Sequence, residues 1–594
     1  MLLGVDTGGT FTDFVYISDA GLQIHKVLST PEAPEKAILQ GIEELGIDHD
    51  KLLIVHGSTV ATNAVLEKKG VRCCFVTNYG LADMLTIGRQ ARKELYNLNP
   101  APRSPPVPAD LCLETAGRVS AQGELLEPLS DEQITSLVTQ IKAMAPQSVA
   151  INLLFSFLND EAEKRLELAM PEGIFVSRSS MVLPEYKEYE RGMATWLNAY
   201  VGPLVKGYLA SLAQSVKAQS ISVMQSSGGT IAAEQAGEQA VRMLLSGPAG
   251  GLMAALHIGK LAGYERLLTL DMGGTSTDVA LLDAAIALTN EGKIAGYPVA
   301  VPMVDMHTIG AGGGSIASVD SGGMLCVGPE SAGAFPGPAC YGKGGHKVTV
   351  TDANLYLARL SSKHFLGGDM ALDISASNKA IAELAERLGC DSRQAAKGVI
   401  KLANEHMARA LRVISIQRGI DPRPYTLMTF GGAGGLHVCA LANALEMRTA
   451  IVPVNSGVLS AFGMLAAPRS RELSRSLLGE LSQMPISDIE HGFTTMLEEG
   501  QVQLLAEGVA IEKIQTKYWL DLRYLGQSYT LPVSWENKRS AIDAFHQLHK
   551  SRYGHDLDLA VELVNLRLSL SADMPKPALT KLSARSLKRA LNVS

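Results

Sequence analysis

Eight residues near the amino terminus, Asp6-Thr7-Gly8-Gly9-Thr10-Phe11-Thr12-Asp13, return later as Asp271-Met272-Gly273-Gly274-Thr275-Ser276-Thr277-Asp278, with six of eight positions identical. These residue types suit phosphate chemistry. Paired glycines strip the backbone of side chains, so its N–H groups can close around phosphate oxygens. Threonine hydroxyls can donate to the same oxygens. A leading aspartate can hold Mg²⁺ through water, because that ion prefers oxygen ligands and keeps its own hydration. Two such turns facing each other would clamp a nucleoside triphosphate from both sides. The plainer alternative is two unrelated glycine turns.

The elements that must carry these turns are legible on either side of each copy. Apolar runs flank the first (Leu2 to Val5, Phe14 to Ile17) and the second (Leu267 to Leu270, Val279 to Leu282), which predicts strand, tight turn, strand. A third glycine cluster, Gly431-Gly432-Ala433-Gly434-Gly435, follows a predicted strand at 425–429 and opens a helical run, Val438 to Leu445. A glycine loop at a helix N-terminus suits a nucleotide's base, ribose or phosphate. Between the second and third clusters lies a glycine-dense stretch, 299–345. There Asp305 and His307 stand at i, i+2, on one face if the chain is extended. They could orient a substrate, move a proton or supply two metal ligands, or they could be a hydrogen-bonded pair that stiffens the loop.

Other segments read as scaffold. Pro34 to Leu45 predicts a helix, and 52–55 a strand running into His56-Gly57-Ser58-Thr59-Val60-Ala61-Thr62-Asn63. That turn either lines a cleft at a strand's carboxyl end or caps a helix through Thr59 or Thr62. The proline-rich stretch 97–110 is an irregular connection. The aromatic spacing over 184–213 reads as core packing. Ser246-Gly247-Pro248-Ala249-Gly250-Gly251 opens a helix toward Gly263, and Asp352 reads as a helix cap. One long helix is expected over 390–421. Beyond about residue 475 the pattern predicts amphipathic helices with one strand pair, near 517–525 and 528–533. The last twenty residues read as an exposed tail or docking segment.

Composition bounds the function class. The 594 residues suffice for several domains, and 46% hydrophobic with 19% charged is globular. A net charge of −7 gives no general basic footprint for nucleic acid. No apolar run is long enough to span a membrane. The first strand starts at Leu2, so a cleavable leader is not expected. Seven scattered cysteines without metal or disulfide spacing point to reduced thiols and a cytoplasmic setting.

Together these motifs resemble the hydantoinase A / 5-oxoprolinase family. The likeness rests on both acidic-glycine turns, the 56–63 turn, Ser246 to Gly251, His307 to Ser315, Gly337-Pro338-Ala339-Cys340-Tyr341-Gly342, and Phe430 to Gly435, spanning about residues 1–465. It implies an α/β, actin/Hsp70/sugar-kinase-like duplicated ATPase core with a smaller C-terminal α+β region. The expected divisions are 1–180 with the first turn, 181–470 with the second turn and the adenosine loop, and 471–594. It also implies that ATP phosphorylates an amide or ketone oxygen. Relatives open cyclic amides or activate ketones for carboxylation, usually with a hydantoinase B-type subunit. ATP·Mg²⁺ would then sit between the turns, with Asp6 and Asp271 at the metal. Thr7, Gly8, Gly9, Thr10, Thr12, Gly273, Gly274, Thr275 and Thr277 would surround the phosphates, and Gly431 to Gly435 would contact adenosine. Asp13 and Asp278 would brace the turns or meet metal waters, and Asp305 and His307 would face the substrate. A ketone carboxylase subunit, a small-molecule kinase, or a non-catalytic ATP-binding regulator are the alternatives. A homo-oligomer is also compatible with the sequence.

Overall fold

The computed structural model describes residues 1–574 apart from 9–10, 20, 31, 49–51, 92–94, 100–103, 364 and 366–369. Gly9, Thr10 and the basic tail after 574 therefore lie outside the described residues.

The duplication in the sequence is a duplication in topology. In the first half, strands Leu2–Thr7, Phe11–Ser18, Gly21–Leu28, Leu53–Ser58 and Ser220–Met224 lie side by side in the order third, second, first, fourth, fifth. In the second half, Arg266–Met272, Thr277–Asp283, Met306–Ile309, Thr426–Phe430 and Ala450–Ile451 repeat that order. Each half opens with an antiparallel hairpin, and its first strand then pairs in parallel with its fourth. Buried apolar side chains fix each first strand. Leu3 and Val5 are fully buried in the first half, Leu268 and Leu270 in the second.

The third strand of each half is the element sequence pattern reveals least. Gly21–Leu28 carries Gln, His and Lys on a largely exposed edge and shows no clean apolar alternation. Met306–Ile309 is only four residues long. Both matter, because each third strand lies against the hairpin's second strand.

The first half also holds an inserted parallel sheet: Phe175–Arg178, Ser148–Asn152, Cys73–Asn78 and Cys112–Thr115. Helix Glu188–Val216 packs against it, with Trp196 buried and stacked on Tyr200 at 5.0 Å between ring centroids, a core role. The halves meet through a helix pair, Ser246–Leu261 against Leu459–Ala466. Their shared apolar cluster includes Val15, Leu252, Leu267, Phe430 and Leu465.

Beyond residue 468 the expected strand pair is half of what folds. Arg469–Glu480, Gln515–Tyr524, Leu531–Ser534 and Val561–Ala572 form four antiparallel strands. They continue the first half's sheet to ten strands through Thr230 beside Arg469. Two of the four escape an apolar-pattern reading because polar residues are buried among the leucines. Arg471 is 2% exposed, with Nε donating to Gln503 at 2.8 Å. Asn565 donates to Asp521 at 2.8 Å, and Arg567 Nε donates to Asp521 at 2.7 Å while pairing with Glu185 of the first half. Buried charge of this kind persists only when paired and hydrogen-bonded.

Two expected elements shift. The 390–421 helix runs Ser392–Ile414 and ends in a 3₁₀ turn, Ile416–Arg418, before Gly419. Helix Val350–Tyr356 is capped by Thr349, and Asp352 is the reciprocal partner three residues on. Asp352 also accepts from Cys340 N at 2.8 Å and Ala339 N at 3.2 Å, which pins the 337–342 loop.

Candidate active site

The two hairpins have the same local geometry. Register sets Asp6 opposite Asp13 and Asp271 opposite Asp278, so each pair shares one face of its hairpin. Each turn closes by the same bond: Gly8 N to Phe11 O at 3.0 Å, and Gly273 N to Ser276 O at 3.1 Å. Leading and closing aspartates are thus placed by β alternation, and the glycine turn lies just beyond them.

The halves bring these acids together. Burial pushes the Asp6 carboxyl up to about 7, and the Asp13 charge adds to the shift. Burial pushes Asp271 up to about 8, with further upward contributions from Asp278, Asp6 and Asp13. Asp6 and Asp271 come from different halves, 265 positions apart, yet the Asp6 charge acts on Asp271. Asp13 and Asp278 are raised as well, again mainly by burial. Among the described residues the one cation acting on these four carboxyls is Lys26.

Helix Ser246–Leu261 starts between the halves. A Cβ at Gly247 would lie 3.9 Å from Asp6 Oδ1. Pro248, Leu252, Asp271, Asp278, Met306 and Phe430 line one narrow crevice. The positive end of this 16-residue helix therefore lies beside both leading aspartates. The 56–63 turn holds it there. Thr62 Oγ1 accepts from Leu245 N at 3.0 Å, Ser246 Oγ donates to Ser58 O at 3.3 Å, and Thr59 Oγ1 donates to Thr7 O at 3.1 Å. Thr59 stands at the N-cap of the following helix, Val60–Leu66, but its side chain makes no cap bond and donates to Thr7 O, so the turn serves the hairpin more than the helix.

The glycine-dense loop braces the second hairpin. Gly313 N donates to Gly273 O at 3.0 Å and Gly314 N to Gly274 O at 2.7 Å. A Cβ on Gly312 would sit 2.7 Å from the Gly274 carbonyl and from Thr275 N, closer than real Cβ atoms come. Thr351 N, at the capped helix start, donates to Gly313 O at 2.8 Å. The loop's glycines let one backbone lie on another. The third cluster meets the same hairpin. Gly431 has φ +76, a Cβ there would strike Asp271 Oδ1, and Ala433 N donates to Met272 O at 3.1 Å. Gly432 faces open space, Gly434 packs on Thr429 and Leu270, and Gly435 lies near Val452.

Several expected contacts change. Thr12 and Thr277 are fully buried and their hydroxyls are engaged inside the protein. Thr12 bonds Ser29 Oγ at 3.0 Å, and Thr277 donates to Ala311 O. They brace the turns, and a phosphate would meet the backbone of Gly8, Gly273, Gly274 and Thr275 together with the exposed Thr275 hydroxyl. Thr7 is buried and its hydroxyl has no partner. Asp305 and His307 do not join the acids. Thr308, opposite Asp278, donates to Asp278 Oδ1 at 2.6 Å, and Met306 lines the crevice. Alternation turns His307, opposite Val279, toward the Ser392–Ile414 helix layer. Asp305 forms a two-pronged pair with Arg418 just beyond that helix, one prong at 3.1 Å. The Arg418 pair gives Asp305 a bracing role, and His307 lies on the face turned away from the acids, so neither stands on the substrate side.

Missing from the sequence reading are Lys26, Ser29 and Thr308, all on or after a third strand. Counting residues across the second hairpin turn, 18–21, would have set Lys26 opposite Asp13.

The residues fit a nucleotide and a hydrated divalent cation. Acids crowded in a desolvated cleft with one cation among them call for a counter-charge. Among the described residues no three His, Cys, Asp or Glu converge to hold a metal directly. One or two carboxylates, waters and phosphate oxygens are the ligand set Mg²⁺ takes.

Comparison with known proteins agrees with this geometry. The hydantoinase/oxoprolinase N-terminal region model matches residues 2–172, and the hydantoinase/oxoprolinase model matches 191–472. Caprolactamase subunit alpha of Pseudomonas jessenii is 34% identical, over 98% of this chain and 88% of its own. The crystal structure of that ATP-dependent caprolactamase superposes with TM-score 0.88 at 33% identity, covering 98% of this chain and 89% of the other. The 5-oxoprolinase of Saccharomyces cerevisiae is 32% identical over 94% of this chain, which spans 48% of that longer protein. A nucleotide-free acetone carboxylase structure superposes with TM-score 0.76 at 27% identity, covering 98% of this chain and 89% of the other. With its duplicated α/β halves and both acidic-glycine hairpins in place, the chain belongs to the hydantoinase/oxoprolinase family.

Proposed function

We propose that this protein is the ATP-dependent subunit of a cyclic amidase, phosphorylating the carbonyl oxygen of a lactam-type ring so that the ring opens. The observation that carries the reading is that Asp6 and Asp271, from separate halves, both lie beside the N-terminus of helix Ser246–Leu261, Asp6 next to Gly247 and Asp271 in the crevice lined by Pro248. The hairpin backbones at Gly8 and at Gly273 to Thr275 receive the triphosphate, and the 431–435 loop meets the adenosine. Asp6 and Asp271 would hold a hydrated Mg²⁺, which would supply positive charge against the negative charge developing on transfer.

The amide carbonyl oxygen attacks the γ-phosphorus, a P–O bond forms, and the bond to ADP breaks. The O-phosphorylated amide is a far better electrophile than the parent ring. Water adds at its carbon, the ring C–N bond breaks with the nitrogen taking a proton, and an acyl phosphate is left; a second water then attacks that acyl phosphate and releases phosphate, giving an amino acid. Phosphoryl transfer needs mainly positioning and electrostatic stabilisation, which two rigid hairpins supply. The ring-opening half falls to a hydantoinase B-type partner, in keeping with the name of the Pseudomonas jessenii relative, a subunit alpha.

The likeness to acetone carboxylase supports a second reading with the same first step, in which a ketone is phosphorylated and then carboxylated. The test is ATP turnover by the protein with its co-purified partner, over a panel of lactams, hydantoins, 5-oxoproline and ketones with labelled bicarbonate. Amide-stimulated phosphate release with no label incorporated supports the amidase reading. Label fixed into product supports the carboxylase. ATP binding without stimulation by any carbonyl compound leaves a regulator.

A further inference from the structure

The two halves differ at one equivalent position. Each closing aspartate has a cross-strand neighbour on its third strand: Lys26 for Asp13, Thr308 for Asp278. Lys26 Nζ pairs with Asp13 Oδ1 and lies 5.2 Å from the centre of the Phe11 ring. Thr308 offers a neutral hydroxyl at 2.6 Å. The lysine's field reaches Asp6 too, whereas among the described residues no cation acts on Asp271 or Asp278. The ion pair is mostly shielded, with 31% of the Lys26 side chain and 16% of the Asp13 side chain exposed.

We propose that Lys26 is a positioning residue of the nucleotide site: it holds Asp13 against the third strand and cancels its charge, so that only Asp6 of the first hairpin meets the triphosphate as a free anion. The first half then accepts phosphate at low electrostatic cost, and the second half, with two uncompensated acids, is where the cation's charge is most needed. This inference rests on the ATP reading. Lys26 acts through Asp13 and does not itself touch the nucleotide, and that distinction is testable.

The experiment is calorimetric binding of ADP to the full chain, once in EDTA and once in excess Mg²⁺. Lys26→Met leaves Asp13 without its counter-charge beside the incoming phosphates. Metal-free ADP binding is expected to weaken about tenfold, since a like charge at such range in a partly desolvated site is worth roughly 1.4 kcal/mol. Mg²⁺ should narrow the deficit. Removing the exposed charge as well, in Lys26→Met with Asp13→Asn, should restore binding to within about twofold of the unmodified protein, and Lys26→Arg should bind normally. A structural role would lower the melting temperature in step with affinity, and Asp13→Asn would not reverse it. Lys26→Gln serves as the second neutral variant should the methionine variant fold poorly. An affinity deficit that persists in the double variant means that Lys26 grips phosphate directly and overturns the proposal. Normal ADP binding by Lys26→Met or Lys26→Gln also overturns it. Failure of the unmodified protein to bind ADP overturns the ATP reading and takes this inference with it.

Discussion

The first and second hairpins share sequence, register and turn bond, yet they are held in place by different means. The first is tied by side chains: Ser29 Oγ donates to Gly8 O at 2.7 Å and bonds Thr12, while Lys26 pairs with Asp13. The second is tied by backbone, with the 312–314 glycines lying on 273–274 and the 431–433 loop pressing against Asp271 and Met272. A duplicated fold thus keeps the geometry that places the acids while each half finds its own bracing. The charge differs too, since among the described residues a cation, Lys26, acts on the acids of the first hairpin and none acts on those of the second. The second hairpin is accordingly the one with loop backbone packed on it and the one whose acids lack a neighbouring cation among the described residues.

If both halves grip one triphosphate, losing either leading acid should be severe. Asp271→Ala and Asp6→Ala are each expected to lower substrate-stimulated ATP turnover by roughly 10²–10³-fold, the scale of removing a preorganised electrostatic group. Phosphate release assays at saturating ATP and Mg²⁺ check this. Near-normal turnover by Asp6→Ala would show a one-sided site and dissolve the symmetry argument.

The bracing difference gives the next effect. Gly312→Ala forces a methyl group into the Gly274 carbonyl, which must move because backbone cannot yield as a flexible side chain does. Misplacing the turn by about 1 Å should lower turnover by up to ~10²-fold, with a stability loss of about 1–3 kcal/mol. Thermal melts alongside ATPase rates measure both. The first hairpin offers a contrast in Ser29→Ala, which removes side-chain bonds but inserts nothing and is expected to cost about 1 kcal/mol.

Much of this was legible beforehand. The acidic-glycine repeat announced the duplicated core because identical spacing demands identical hairpins, and the glycine cluster after residue 430 announced a loop beside the cleft. The bracing was not legible. Lys26 sits in an edge strand with a mixed polar face, and a four-residue strand at 306–309 carries too little periodicity to reveal which of its side chains turns inward. Alternation alone said that Asp305 and His307 share a face. It could not say that Met306 and Thr308 own the face toward Asp271 and Asp278. Similarly, Leu566, Leu568 and Leu570 alternate, but the buried Asn565 before them and the half-buried Arg567 among them disguise the strand as a polar one.

The electrostatic difference predicts a pH effect of opposite sign to the usual carboxylate. Asp271 ionises at about 8 in the folded protein against 3.8 for a free carboxyl, and Asp6 at about 7. A raised folded value means the native state holds protons that the unfolded chain has released. Nucleotide-free protein should therefore lose stability as pH rises from about 4 to 8. Asp271→Asn removes the larger part of that penalty. Its melting temperature should exceed that of the unmodified protein at pH 8, converge with it near pH 5, and respond less to Mg²⁺·ADP. A variant less stable at pH 8 would mean that Asp271 is not electrostatically strained.

The smallest expected effect lies at the hydroxyl that takes the place of the lysine. Thr308→Val keeps the shape and the β preference of the third strand but removes the donor to Asp278 Oδ1. That hydrogen bond is the one influence opposing burial on the Asp278 carboxyl, so its loss makes Asp278 still harder to ionise. The acid limb of the turnover profile should move to higher pH, with a fall of only a few-fold at pH 7, since a single bond to a charged group is worth about 1.5–3 kcal/mol and water can replace part of it. Thr308→Lys is the sharper form of the same question. It installs the first half's cation in the second half. If unequal charge is what sets the halves apart, this variant should bind metal-free ADP more tightly than the unmodified protein and gain less from Mg²⁺. Equal responses would show that the two sites tolerate the same charge, and that the lysine in one and threonine in the other are interchangeable braces.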